Sequence, residues 1–70
     1  MSEWTMEGEQ LVQYHGRFTV AVQRGTWSTA WTVRKDGKVL VNGTFHSDKN
    51  HFEGAKKTAL RELLRYSVGE

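Results

Sequence analysis

The chain has 70 residues, ten Lys and Arg against eight Asp and Glu, a formal net charge of +2 and no Cys. That length allows one domain, which buries only about 60 % of the surface of its unfolded chain, so each large side chain carries a sizeable share of the stability. The lack of Cys excludes a disulfide framework and thiolate metal sites. No apolar run reaches membrane-span length and the acidic Met1-Ser2-Glu3-Trp4 start reads as no targeting peptide, so a cytoplasmic protein is expected.

Residues 1–13 show no clean period, with Trp4, Met6, Leu11 and Val12 scattered among Glu and Gln. They are expected to form a partly mobile N-terminal segment, and 14–68 a single domain. Over 17–24 the alternation of Phe18, Val20 and Val22 with Arg17, Thr19, Ala21 and Gln23 predicts a half-buried strand. Arg24-Gly25 reads as a two-residue turn into a second strand, 27–34. Asp36-Gly37 then supplies the positive-φ pair of a type I′ turn, and a third strand follows over 38–45. Asn42-Gly43 is a candidate bulge or strand end.

Two-residue loops at both turns pair Val22 with Trp27, Phe18 with Trp31, Val33 with Leu40 and Trp31 with Asn42. Phe18, Val20, Val22, Trp27, Trp31, Val33 and Leu40 then share one apolar face. The other face carries Arg17, Thr19, Gln23, Ser28, Thr32 and Arg34, with a small apolar strip of Val39 and Val41.

A helix closes the chain. Asn50 and Glu53 have capping-box spacing, and Ser47 is a competing start. Phe52, Ala55, Ala59, Leu60 and Leu63 form an apolar stripe, while Lys57, Arg61 and Arg65 line another face. Gly54 costs about 1 kcal/mol relative to Ala inside a helix, so it is expected where the helix approaches the sheet closely. The expected class is α+β: a three-stranded antiparallel β-sheet followed by one C-terminal α-helix packed on one face, β-β-β-α.

Catalytic chemistry finds no foothold. No Ser stands in a nucleophile elbow, the glycines match no phosphate-loop spacing, and His15, His46 and His51 do not follow a metal-ligand spacing. The expectation is no enzyme, no cofactor and no metal. Trp27 and Trp31, four apart, point to the same side of a strand. Exposed aromatics on a sheet can stack on bases, but the register assigns both to the core, where a small protein needs their area.

The charge is unevenly spread. All ten Lys and Arg lie between Leu11 and Tyr66 with only four acids, a net of +6 for that body. Arg24, Lys35 and Lys38 fall at hairpin ends, and Arg17 and Arg34 on the open face. The expected function is a small non-catalytic nucleic-acid-binding module, contacting duplex backbone through a basic sheet face and hairpin tips by way of Arg17, Arg24, Arg34, Lys35 and Lys38. A three-stranded sheet is thin enough to enter a major groove. The alternative is a protein-interaction module, a small inhibitor or accessory protein of a phage or mobile element. It would act through Val39 and Val41 or through the edge of the third strand. That edge is expected to be covered by residues 4–12 or to pair with a second copy as a homodimer.

The stretch "WTVRKDGKVLVNGTFHS" leading into "AKKTALRELL" resembles the C-terminal part of a double-stranded-RNA-binding domain over residues 31–70, with Ala55-Lys56, Ala59-Leu60 and Leu63-Leu64 in the matching helical places. The resemblance implies the sheet-then-helix layout. The family's helix-opening lysines would fall on Phe52, Glu53 and Gly54, and its first helix has no counterpart before Tyr14, so binding of duplex RNA does not come with it. The layout is also similar to integrase-type and plant ethylene-response-type DNA-binding domains, which place their sheet in the major groove; that likeness is one of topology alone.

Overall fold

The structure, a computed structural model, describes residues 4–47 and 50–68. Five strands, β1 (Thr5–Glu7), β2 (Gln10–His15), β3 (Phe18–Arg24), β4 (Ser28–Lys35) and β5 (Lys38–His46), precede one helix, α1 (His51–Ser67). The strands form a single antiparallel sheet in chain order, and α1 lies across β3, β4 and β5 on one face. The class is α+β with an antiparallel sheet and a C-terminal helix, but the sheet has five strands rather than three. No helix among the described residues is long and apolar enough to cross a membrane.

The two additional strands come from the segment without a clean period. Two-residue turns at Gly8-Glu9 and Gly16-Arg17 fold 5–15 back twice, so that Leu11 pairs with Val22 and Val12 with Ala21. Leu11 and Trp4 pack against the core from the helix side. β1 and β2 therefore occupy the segment in which a double-stranded-RNA-binding domain carries its first helix. The expectation that residues 4–12 cover the edge of β5 is not met: β2 pairs with β3 and β1 with β2, which puts this segment at the opposite edge of the sheet.

The β4–β5 turn forms at the anticipated place. Asp36 (φ 52°) and Gly37 (φ 82°) both adopt positive φ, as a type I′ turn demands, and Lys35 pairs with Lys38. The ladder then slips: Arg34 pairs with Val39 but Val33 with Val41, so Leu40 is an extra residue opposite none. A bulge of one residue inverts the facing of everything beyond it. Val41, Gly43 and Phe45 consequently face α1, whereas Val39, Asn42 and Thr44 face away. The irregularity sits at Leu40 rather than at Asn42-Gly43, and Val41 belongs to the core side rather than to an outward strip.

The β3–β4 connection also differs. It is a three-residue loop, Gly25-Thr26-Trp27, closed by the Gly25 N–H donating to the Ser28 carbonyl at 2.7 Å. Val22 pairs with Trp31 instead of Trp27. The strand has slid by an even number of residues, so Trp31 and Val33 keep their predicted face while Trp27 leaves the sheet.

The core is made of Phe18, Val20, Val22, Trp31 and Val33 from the sheet and Ala55, Ala59 and Leu63 from α1, with Val41, Phe45, Phe52 and Leu60 packed around it. Trp31 is 9 % exposed; Trp27 is 82 % and Leu40 38 % exposed, so these last two are not core residues. Asn50 stands at the N-cap with φ 56° but its side chain makes no capping bond, and Glu53 pairs with Lys56 at 2.8 Å, so no capping box forms. Lys56 holds the Glu53 carboxyl below its ordinary pKa, first by hydrogen bonding and then by its charge.

Gly54 does lie at a close approach: a Cβ there would overlap the Phe45 ring. Gly54→Ala sets about 1 kcal/mol of helix propensity against an overpacking cost of about 1–3 kcal/mol. The expected outcome is a lower urea midpoint, and a higher one would mean that the Phe45 ring yields freely. In the same assay Trp31→Ala should cost about 3–5 kcal/mol, whereas Trp27→Ala should change stability by less than about 0.5 kcal/mol. Equal losses at the two tryptophans would contradict this register.

Candidate functional site

In an antiparallel meander alternate turns share an end of the sheet. The β2–β3 turn carrying Arg17 and the β4–β5 turn carrying Asp36 therefore adjoin. The Asp36 N–H donates to the Arg17 carbonyl at 2.9 Å. The Arg17 guanidinium grips the Asp36 carboxylate, with Nη2 at 2.6 Å from one oxygen and Nε at 3.2 Å from both. That hydrogen bonding, with the Arg17 and Lys35 charges behind it, holds the exposed Asp36 carboxyl below the ordinary Asp range. Arg17 thus belongs to a turn and ties two hairpins together, rather than standing on the open face.

Three further cations surround this clamp. Lys35 is on the helix side, with Nζ 5.6 Å from the centre of the Phe18 ring, a cation–π distance. Lys38 pairs directly with Lys35, and Arg34 lies between Thr19 and Val39 on the open face. Arg17, Arg34, Lys35 and Lys38 are therefore gathered at one end, around Asp36 as the acid among them.

The open face itself is not basic. Arg34 is its one Lys or Arg among the described strand residues, and its middle is occupied by Gln10, Gln23, Ala30, Thr32, Asn42 and Thr44. On its β1–β2 side the Tyr14 hydroxyl donates to the Glu7 carboxylate, which pushes the phenol above its ordinary pKa, the hydrogen bond leading. Breadth also matters. At about 4.8 Å between strands, five strands span roughly 19 Å, more than the ~12 Å width of a major groove. A three-stranded sheet would enter the groove; this one does not lie flat in it.

Arg24 is at the opposite end. The eight residues of β4, rising about 3.3 Å each, put roughly 23 Å between the two ends. The Arg24 guanidinium carbon stands 5.6 Å over the centre of the Phe52 ring, so this cation joins the start of α1 and not the turn cluster. Beside it the β3–β4 loop presents Trp27 at the mouth of an open cleft of about 430 Å³, lined also by Thr26, His46, Ser47 and His51. The His51 ring is held through Nδ1, 2.8 Å from the hydroxyl of the fully buried Thr29.

The apolar strip anticipated on the open face divides: Val39 is half exposed at the β5 edge, and Val41 is turned to the core. A separate groove of about 410 Å³ runs between β2 and the end of α1, with Phe18, Leu60, Leu63 and Leu64 in its wall. No group of three His, Cys, Asp or Glu side chains among the described residues is placed to hold a metal ion. Sequence reasoning placed Lys35 and Lys38 at the turn but put Arg17 on the open face, and it missed the Trp27 cleft, for which the signal was the Gly25-Thr26 pair, which allows a loop longer than two residues. No protein family, curated protein or solved structure matches the chain.

The Arg17–Asp36 clamp makes a pH prediction with a defined sign. A carboxyl whose pKa is depressed in the folded state contributes stability above its unfolded pKa and loses it as the pH falls through the folded value. Asn retains the positive-φ tolerance the turn needs, so Asp36→Asn removes the charge and one of the two oxygens that accept from Arg17 while keeping the turn backbone. Wild type should exceed Asp36→Asn in urea midpoint near pH 7, and the gap should close as the pH falls below about 3.9, the ordinary Asp value. A gap unchanged to the acid end would assign the difference to the turn backbone and not to the ion pair.

Proposed function

We propose that the chain is a small non-catalytic nucleic-acid-binding module which meets the phosphate backbone end-on, through Arg17, Arg34, Lys35 and Lys38. One observation carries this reading: among the described residues, Arg17, Arg34, Lys35 and Lys38, in and beside two adjoining turns, stand around one acid, Asp36. Guanidinium and ammonium groups held on hairpin ends neutralise phosphates without entering a groove, and such contacts position a protein on nucleic acid without reading its sequence. The breadth of the sheet favours contact from outside the groove on a duplex, or with a single strand. Arg24 makes a second point of contact at the far end.

A second reading has its own support. β5 is nine residues long, has one neighbouring strand and exposes Val39 at its edge. The chain contains no Pro to interrupt such an edge. An added strand from a protein partner, or from β5 of a second copy, would gain backbone hydrogen bonds there.

Salt dependence separates the two. Arg34→Glu with Lys38→Glu should weaken binding to any nucleic acid at least tenfold near 100 mM salt, and should flatten the log–log salt slope by roughly one unit for each phosphate no longer neutralised. Lys57→Glu with Arg61→Glu, on the outer side of α1, should matter much less. Equal losses from the two pairs would mean diffuse attraction without a site. Absence of binding by the wild type at about 100 mM salt, where the Debye length is about 10 Å, would favour the β5 edge and a protein partner.

A further inference from the structure

We infer that the Trp27 cleft holds an unpaired nucleobase, with Arg24 placed for an adjoining phosphate; this rests on the nucleic-acid reading above and names the kind of strand it takes. The first observation is the indole itself. Trp4 and Trp31 both pack on the core, whereas Trp27 is 82 % exposed on a short loop that is closed by its own backbone hydrogen bond. In a chain of this size an indole buried in the core would add considerable apolar burial. Trp27 contributes almost none, so core packing does not account for it.

The second observation is what stands beside it. The cleft is of small-ligand volume, and its other walls are polar: Thr26, Ser47 and the imidazoles of His46 and His51. A planar ring lying on the indole would gain stacking, while the polar edge of a base would find hydroxyl and imidazole partners. The Thr29 hydroxyl engages His51 at Nδ1, which leaves Nε2 as the ring nitrogen for a ligand. An aliphatic side chain of a peptide would gain the apolar contact and make no use of the His46 and His51 imidazoles.

The third observation is the adjoining charge. His51 also borders a smaller cleft, of about 260 Å³, whose wall includes Arg24 and Phe52. One imidazole thus separates a stacking surface from a guanidinium, in the way that successive base and phosphate contacts alternate along a strand. A base inside a duplex has both faces covered by its neighbours and cannot reach Trp27 without leaving the stack. The occupant is therefore a single-stranded DNA or RNA segment, or a frayed or looped-out base.

The test compares an oligodeoxyuridylate and an oligouridylate of about 15 nucleotides, within the usual single-strand site sizes, with a blunt two-stranded duplex of equal length and without a loop, by anisotropy at fixed salt. The full chain is used, with Trp27→Ala, Trp27→Leu and Trp27→Phe, each checked for an unchanged urea midpoint. Stacking contributes about 1–3 kcal/mol per base, so Trp27→Ala should weaken single-strand binding roughly 5- to 150-fold. Duplex binding should stay within about twofold, as expected for phosphate contacts made elsewhere. Trp27→Leu should behave like Ala and Trp27→Phe should keep most of the affinity. A Leu variant as good as Phe would overturn stacking, and so would equal losses on strand and duplex or no loss at all. The turn-cation reading would survive those results through duplex binding that still responds to Arg34 and Lys38. Binding of no nucleic acid by the wild type would overturn both, and would leave Trp27 as an anchor for a protein partner. A preference between the two oligonucleotides would name the strand as DNA or RNA.

Discussion

The separation between α1 and the sheet is the constraint on which the rest of the molecule depends. Only small residues can stand where the helix presses on the sheet, and the chain supplies Gly54, Ala55 and Ala59 there. The Phe45 ring then fits over Gly54, and the Trp31 indole lies over Gly43, where a Cβ would come within 2.7 Å of it. Large rings on the sheet thus meet gaps in the backbone opposite, an arrangement that fills a core using few residues. With one helix available, one face of the sheet is covered and the other is left to polar side chains.

That division accounts for the position of the charges. On the helix side cations stand against aromatic rings at the margins of the core: Lys35 over Phe18, Arg24 over Phe52, and Lys56 of α1 between Trp4 and Phe52. The open face is filled by short hydroxyl and amide side chains. Cations therefore accumulate at the two ends of the sheet and along the outside of α1. The two ends differ in kind: one is a cluster of long charged side chains on tight turns, the other an aromatic ring with imidazoles and a single guanidinium.

Much of this is legible in the residues alone. Asp36-Gly37 between two apolar alternations can hardly be anything but a tight hairpin, and Ala55, Ala59 and Leu63 mark the buried side of a helix by spacing alone. Parity was the weak point. The alternation in 38–45 does not reveal whether Leu40 is paired or extra, and that single residue decides whether Val41 and Phe45 face the core. The Arg24-Gly25 pair reads as a hairpin turn, yet a three-residue loop fits the same flanks, and the difference moves Trp27 from core to solvent. β1 and β2 were missed because Gln13 and His15 share a face with Leu11, so no clean apolar period survives, although Gly8 and Gly16 stand where tight turns would be. The turn cations were readable from their distance to Asp36-Gly37. Their company was not, since Arg17 reaches that cluster only through the β2–β3 turn.

Every strand of this sheet pairs with its neighbour in the chain, through connections of two or three residues. Closing such short loops costs little entropy, and contact order stays low for a chain so rich in β-structure. The hairpins can therefore form independently within microseconds, each ready before the whole is stable. What they lack singly is a buried face. The slow event is expected to be the arrival of α1, which needs β3, β4 and β5 side by side before its alanines have anything to touch. Since the sequence contains no proline, no isomerisation step stands behind that docking, and folding is expected to run as one cooperative phase timed by the closing of the helix over Trp31.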